Sequence, residues 1–326
     1  MSTSRRTVLQ ALAGSSLLAT LSVSAQGAYP NKPIRYIVPV AAGGGSDMVG
    51  RTVCERWAKQ LGQSIVVDNQ GGGGGVIACQ NTARAAPDGY VLMQGYVATL
   101  GTSPATRRNL PYDALKDFTP VGMIGSTPNV LVVNPNVPAQ SVAELQHYLR
   151  QNPPVSYGSS GQGSLTHLTM ELFKLQTQSE LTHVPYRGIA PAFTDLIAGQ
   201  TQAMFPGLAA ALPHIRSGRA RPLAVTGPKR HPQLKDTPTL EELGFKGFDA
   251  VQWYGVVGPA GMPAPVVKLL NDTLKIVLSA PDLREKLSVE AIEPQPMSPE
   301  TFAQYIRDDL ERWSRLAKAR HIQLDS

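Results

Sequence analysis

A short β-rich run, Ile34-Arg35-Tyr36-Ile37-Val38-Pro39, hands over through Gly43-Gly44-Gly45 to a segment in which Val49, Val53, Trp57 and Leu61 recur every fourth position. That handover constrains the fold more than any other feature. A strand and an amphipathic helix joined by glycines can each bury an apolar face only by packing the helix on a sheet. Ser46 and Asp47 are the residue types that cap a helix start, and Gly62 predicts its stop. A strand over 64–67, a second glycine loop over 71–75, a helix over 76–86 and, after Pro87-Asp88-Gly89, a strand over 90–93 continue the alternation. The order β-α-β-α-β predicts a doubly wound parallel sheet.

Near Pro120 the pattern changes to Val121-Gly122-Met123-Ile124 and Asn129-Val130-Leu131-Val132-Val133, which reads as a crossing into a second unit. That unit predicts helices over 141–151, 165–175 and 190–198, alternating with strands over 155–157, 183–186, 203–205 and 222–225. A return hinge fits Gln252-Trp253-Tyr254, and helices over 264–279, 281–287 and 298–320, with no sheet of their own, should pack back on the first unit. At 326 residues, with 42% hydrophobic and 17% charged residues, the chain has the length and composition of two packed α/β lobes. The expected division is 1–25 as a removed export segment, 26–126 with 250–326 as the first lobe, and 127–249 as the second.

The export reading rests on Arg5-Arg6, the small and apolar run 8–23, and Val23-Ser24-Ala25 as a cleavage site; twin-arginine and general secretory routes both fit. It places the product in the periplasm. The formal charge of +6 falls to +4 without Arg5 and Arg6, and no basic run is interleaved with aromatics, so nucleic acid is not an expected partner. Cys54 and Cys79 are the only cysteines; a single bridge and two buried thiols both fit, and neither has neighbours at metal-ligand spacing. No metal or cofactor is expected.

Catalytic templates fit poorly. Gly158-Ser159-Ser160-Gly161-Gln162 has Gln162 where a nucleophile elbow needs glycine, Met48 stands where a dinucleotide fingerprint needs its third glycine, and no Walker lysine follows either glycine loop. Two small-residue loops stand out instead, 41–47 and 159–164, each running from a strand end into a helix. Backbone N–H groups and the positive helix end at such a place favour an anion, glycine permits close approach, and Ser46, Ser159 and Ser164 can add hydrogen bonds. A cleft between lobes would bring the loops face to face.

A series of motifs then resembles a known family. Tyr29-Pro30-Asn31-Lys32-Pro33-Ile34, Gly43-Gly44-Gly45-Ser46-Asp47, Pro87-Asp88-Gly89-Tyr90, Leu110-Pro111-Tyr112-Asp113, Tyr157-Gly158-Ser159-Ser160-Gly161-Gln162-Gly163-Ser164, Val184-Pro185-Tyr186-Arg187-Gly188 and Trp253-Tyr254-Gly255 occur in the order found in the Bug-type solute-binding receptors of tripartite tricarboxylate transporters. The resemblance covers essentially the whole chain after residue 25. It implies a two-lobe Venus-flytrap α/β fold, each lobe a doubly wound sheet flanked by helices. It implies no chemistry, but a monomeric receptor that closes on a small carboxylated solute and passes it to membrane permease subunits. The implied ligand contacts are Ala41, Gly43, Gly44, Gly45 and Ser46 in the first lobe and Ser159, Gly161, Gly163 and Ser164 in the second. His167, Arg187 and Ile189 match the cleft rim, Tyr96 and Ala98 the loop after the third strand, and Asp47 is read as helix N-cap and site organiser. Pro206-Gly207 stands where many relatives have an amide or acid that could meet an ammonium, which points to a mono- or dicarboxylate. An amino-acid receptor, a solute sensor and an exported hydrolase are the alternatives.

Overall fold

The computed structural model describes residues 29–324; the export segment expected over 1–25 lies outside them. β1 (Ile34–Val38), α1 (Gly45–Leu61), β2 (Ile65–Asn69), α2 (Val76–Ala83) and β3 (Val91–Tyr96) form the predicted alternation, with β1 running parallel between β2 and β3. A π-type turn over Ala98–Thr102 and the short α3 (Ser103–Thr106) lead to the long β4 (Phe118–Pro128). After Asn129 the chain enters a second sheet as β5 (Val130–Val133). It continues through α4 (Val142–Gln151), β6 (Ser156–Ser159), α5 (Leu165–Thr177), β7 (Thr182–Pro185), α6 (Ile189–Ile197), β8 (Ala203–Met204), α7 (Leu208–Arg216) and β9 (Arg221–Val225). The return is β10 (Val251–Pro259), followed by α8 (Ala264–Ser279), α9 (Pro281–Ser288), β11 (Glu293–Pro294) and α10 (Pro299–Ala319).

The two sheets have orders β11-β4-β10-β3-β1-β2 and β7-β6-β8-β5-β9. β10 is antiparallel to both β3 and β4, so the second crossing strand lies in the middle of the first sheet. The return expected at 252–254 is therefore part of a continuous strand, with register shifts against β4 after Tyr254 and after Val256, and Trp253, Tyr254, Val256 and Val257 are buried.

Each helix is placed by its apolar stripe. Val49, Val53 and Trp57 of α1 are buried against the first sheet, and Trp57 Nε1 donates to Thr273 Oγ1 of α8 at 2.9 Å. α10 crosses the other face, where the indoles of Trp253 and Trp313 both donate to Asp309 at 2.9 Å. Gly255 of β10 lies directly under the Phe302 ring, leaving no room for a Cβ. Ser141, Ser164 and Ser298 cap α4, α5 and α10 through side-chain hydrogen bonds.

Several elements differ from expectation. α1 starts at Gly45 with Gly44 as its N-cap, so Ser46 and Asp47 lie inside the first turn and neither caps it. α7 was not foreseen, because Pro213 within it and the absence of a capping side chain mask its start. β11 is a two-residue edge strand with no periodicity to detect. Cys54 and Cys79 are free thiols buried in different apolar clusters. Among the described residues no helix is long and apolar enough to cross a membrane.

Candidate functional site

The first-lobe loop is shaped by its glycines and anchored by Asp47. Gly43 adopts φ +92°, a left-handed conformation that side-chain-bearing residues avoid, and this turns the chain into α1. Asp47, in the first helical turn, reaches back to accept from Gly43 N at 2.8 Å, while Asn69 Nδ2 at 2.8 Å and Arg51 Nε at 3.0 Å donate to the same carboxylate. This is the reach-back half of a capping box, made to the residue before the cap. Burial alone would raise its pKa, but the bonds from Gly43, Asn69 and Arg51 outweigh it and hold Asp47 below the usual carboxylate range. Buried Gln94 fixes Ser46, donating at 2.8 Å to both its carbonyl and its hydroxyl oxygen.

The second-lobe loop is held from beneath by two stacked histidines. Ser159 Oγ lies 2.6 Å from His183 Nε2 and accepts from Gly161 N at 3.1 Å. His167 Nδ1 accepts from Gly163 N at 3.1 Å, and the two imidazoles stack with centroids 3.9 Å apart. Burial first, and for His167 the neighbouring His183 second, pushes both down to about 4. Tyr157, stacked on His183, donates to Glu171, which also receives Lys174 at 2.9 Å and Arg320 at 2.7 Å. Ser159 is wholly buried, and the Ser159–His183 pair closes the loop from beneath.

Between the sheets lies a cavity of about 410 Å³ lined by Gly45, Ser46, Thr127, Ser160, Thr166, Ile189, Gly207, Ala209, Ala210, Gln252, Tyr254, Val289 and Glu290. The helices α1, α6 and α7 all open onto it, and their N-caps are Gly44, Gly188 and Gly207, with no side-chain cap bond at any of them. Their first N–H groups are therefore left for a ligand, and three positive helix ends meet in one place.

Of the residues expected at the site, Gly45, Ser46 and Ile189 form cavity wall, while Ala41, Gly43 and Gly44 are exposed in the segment that leads into α1. Tyr96 reaches it indirectly, stacking on Tyr254 with centroids 6.3 Å apart, and Ala98 is half-buried in the following turn. Arg187 is exposed and outside the wall. Ser159, Gly163 and His167 do not line the cavity: all three are buried, and a methyl group at Gly163 would lie 2.6 Å from Leu324 of the C-terminal segment. Ser164 spends its hydroxyl on Gly161 O at 2.7 Å and on capping α5; the second-lobe hydroxyls on the wall are those of Ser160 and Thr166, which bond each other at 2.9 Å, with Thr166 Oγ1 also accepting from Ser160 N at 2.8 Å. Gly161 shapes that loop at φ +137°.

Sequence reasoning missed Thr127, Gln252, Tyr254, Glu290 and the α7 start. Pro206-Gly207 was the available signal for α7, a strand end passing through glycine to a small-residue helix. Glu290 also removes the ground for reading the lack of an acceptor at 206–207 as a lack of any acceptor, because a carboxylate enters from the other lobe.

Two α/β lobes joined by paired strands around a cleft lined by helix starts define a two-lobe solute-binding protein. Residues 49–322 match the family model described as the tripartite tricarboxylate transporter family receptor, and the chain belongs to this family. It is 34% identical over 292 residues to the protein BugT of Bordetella pertussis, covering 89% of this chain and 90% of that one. Among solved structures, R. palustris Rpa4515 with adipate is 37% identical with a TM-score of 0.79, covering 90% of this chain and 99% of that one. MatC of Rhodopseudomonas palustris with bound malate is 31% identical with a TM-score of 0.74, covering 88% and 99%. The family is one of receptors, and solved relatives described as the periplasmic binding protein BugD and a TctC solute binding protein from Polaromonas, 32% and 26% identical, are binding proteins rather than enzymes.

Proposed function

We propose that the protein is a periplasmic receptor, exported on residues 1–25, that captures a small carboxylated organic solute, a mono- or dicarboxylate, and delivers it to the permease of a tripartite tricarboxylate-type transporter. The observation that carries this reading is the meeting of three glycine-capped helix starts on one cavity. A carboxylate seated there accepts from backbone N–H groups and from the hydroxyl of Ser46, and it needs no lysine or arginine to hold it. The adipate and malate bound by the two solved relatives support the solute class. A ligand touching both lobes stabilises the closed form by its preference for that form, with bending near residues 126 and 250.

Thermal unfolding in the presence of carboxylates, amino acids and neutral sugars tests the reading. At a concentration about 100 times Kd, a ligand of the native state adds about 2.7 kcal/mol and raises Tm by several degrees. Stabilisation by carboxylate-bearing compounds is expected. A response confined to neutral sugars would overturn the proposal.

A further inference from the structure

The cavity wall carries one charged side chain among its described residues, and it is an acid. Glu290 projects from the turn between α9 and β11, its Oε2 only 2.7 Å from where a methyl group at Gly45 would stand, at the start of α1. No hydrogen bond or ion pair joins its carboxylate to any described residue. Lys286, one turn earlier, is engaged by Glu55 at 3.4 Å, and Lys229 by Glu293 at 2.6 Å.

The backbone that carries Glu290 is held from the second lobe. His231 Nδ1 accepts from Gln233 N at 3.2 Å, which leaves the proton on Nε2 to donate to Ala291 O at 3.2 Å. Gln233 Nε2 donates to Ser288 O at 2.6 Å. Ala291 itself sits at φ +51° and is wholly buried in the apolar cluster that includes Leu208 and Ala211 of α7. A left-handed alanine pinned at both sides aims the preceding side chain into the cleft.

We propose that Glu290 sets the chemistry of the far end of the solute: the cleft takes a carboxylate whose other end donates a hydrogen bond, an ammonium group above all, and discriminates against dianions. This rests on the carboxylate reading above and narrows it. With one carboxylate on the starts of α6 and α7 in the second lobe, a second carboxylate at the start of α1 would meet Glu290 there without a basic residue in the wall. An ammonium there makes a charge-assisted hydrogen bond with a carboxylate that has no other partner.

The test is calorimetric titration of the native protein and Glu290→Gln with two pairs that differ only in that end: succinate with β-alanine, and glutarate with γ-aminobutyrate. The native protein should prefer the amine-ended member by about tenfold or more, and Glu290→Gln should erase or invert the preference. Glu290→Asp, which keeps the charge, should keep its direction, and an unchanged unfolding midpoint for each variant shows that the fold is intact. A native protein that binds the diacids as well as their partners, or a ratio that Glu290→Gln does not move, overturns this proposal and leaves the carboxylate reading standing. Binding of none of the four compounds by either protein overturns both.

Discussion

At the residue scale, the polar side chains closest to the loops mostly serve the loops themselves. Asp47 holds Gly43, Ser164 holds Gly161, and Ser159 with His183 closes the turn from below, so what faces the cleft is largely backbone. The stacked His167 and His183 give this a pH signature. Both rings stay neutral in the folded protein down to about 4, against an ordinary 6.5 that the unfolded chain regains. Their stabilising share is thus complete above 6.5 and is lost as pH falls from 6.5 toward 4. Glu171 opposes the shift and Lys174 adds to it. Asp309, pushed up to about 6 by burial, has the opposite sign, losing stability as pH rises through that range, so the histidine share is read by difference. Urea unfolding at pH 7 and pH 4.5 should show native stability falling more than that of His183→Asn, by about 1–2 kcal/mol after allowing for solvent screening of the partly buried ring. The glycine-serine loops were legible because glycine and serine act locally. Which hydroxyl turns inward was not, because that depends on His167, His183 and Gln94, which only the folded chain brings together.

Among elements, α1, α5 and α10 were legible from apolar spacing and from Gly62, Ser164 and Ser298 at their ends. α7 was not, since Pro213 reads as a breaker and its start at Gly207 carries no capping side chain. The helices whose starts open onto the cavity, α1, α6 and α7, are capped by glycine while α4, α5 and α10 are capped by serine, so a search for capping side chains has least to find at the cavity. β10 shows a second kind of constraint. Gly255 lies where the Phe302 ring presses on the strand, in a core that also holds Trp253. Gly255→Ala should cost about 3 kcal/mol through overpacking, visible as a lowered urea midpoint at unchanged m-value. A loss below about 0.5 kcal/mol would mean that the ring moves aside freely.

On the scale of the whole molecule, the existence of two α/β lobes could be read from the alternation of strand and helix patterns, but the place of β4, with Pro120, and of β10 in the first sheet could not. Strand order is set by pairing across long sequence separations, which no local signal carries. The first sheet needs β10 between β3 and β4, whereas every strand of the second sheet lies between β4 and β10 in the chain. A fragment ending at Ala250 should keep a protease-resistant core containing β5 to β9 while residues 29–117 are digested, as mass spectrometry of a tryptic time course would show; survival of the N-terminal portion would contradict this. For a chain made from its N-terminus, that order is also a clock: the first part to emerge is the last to become a folded lobe, and its sheet stays unfinished until residue 294 has been synthesised. A protein proposed to be threaded through a membrane before it works would thereby remain threadable for most of its synthesis.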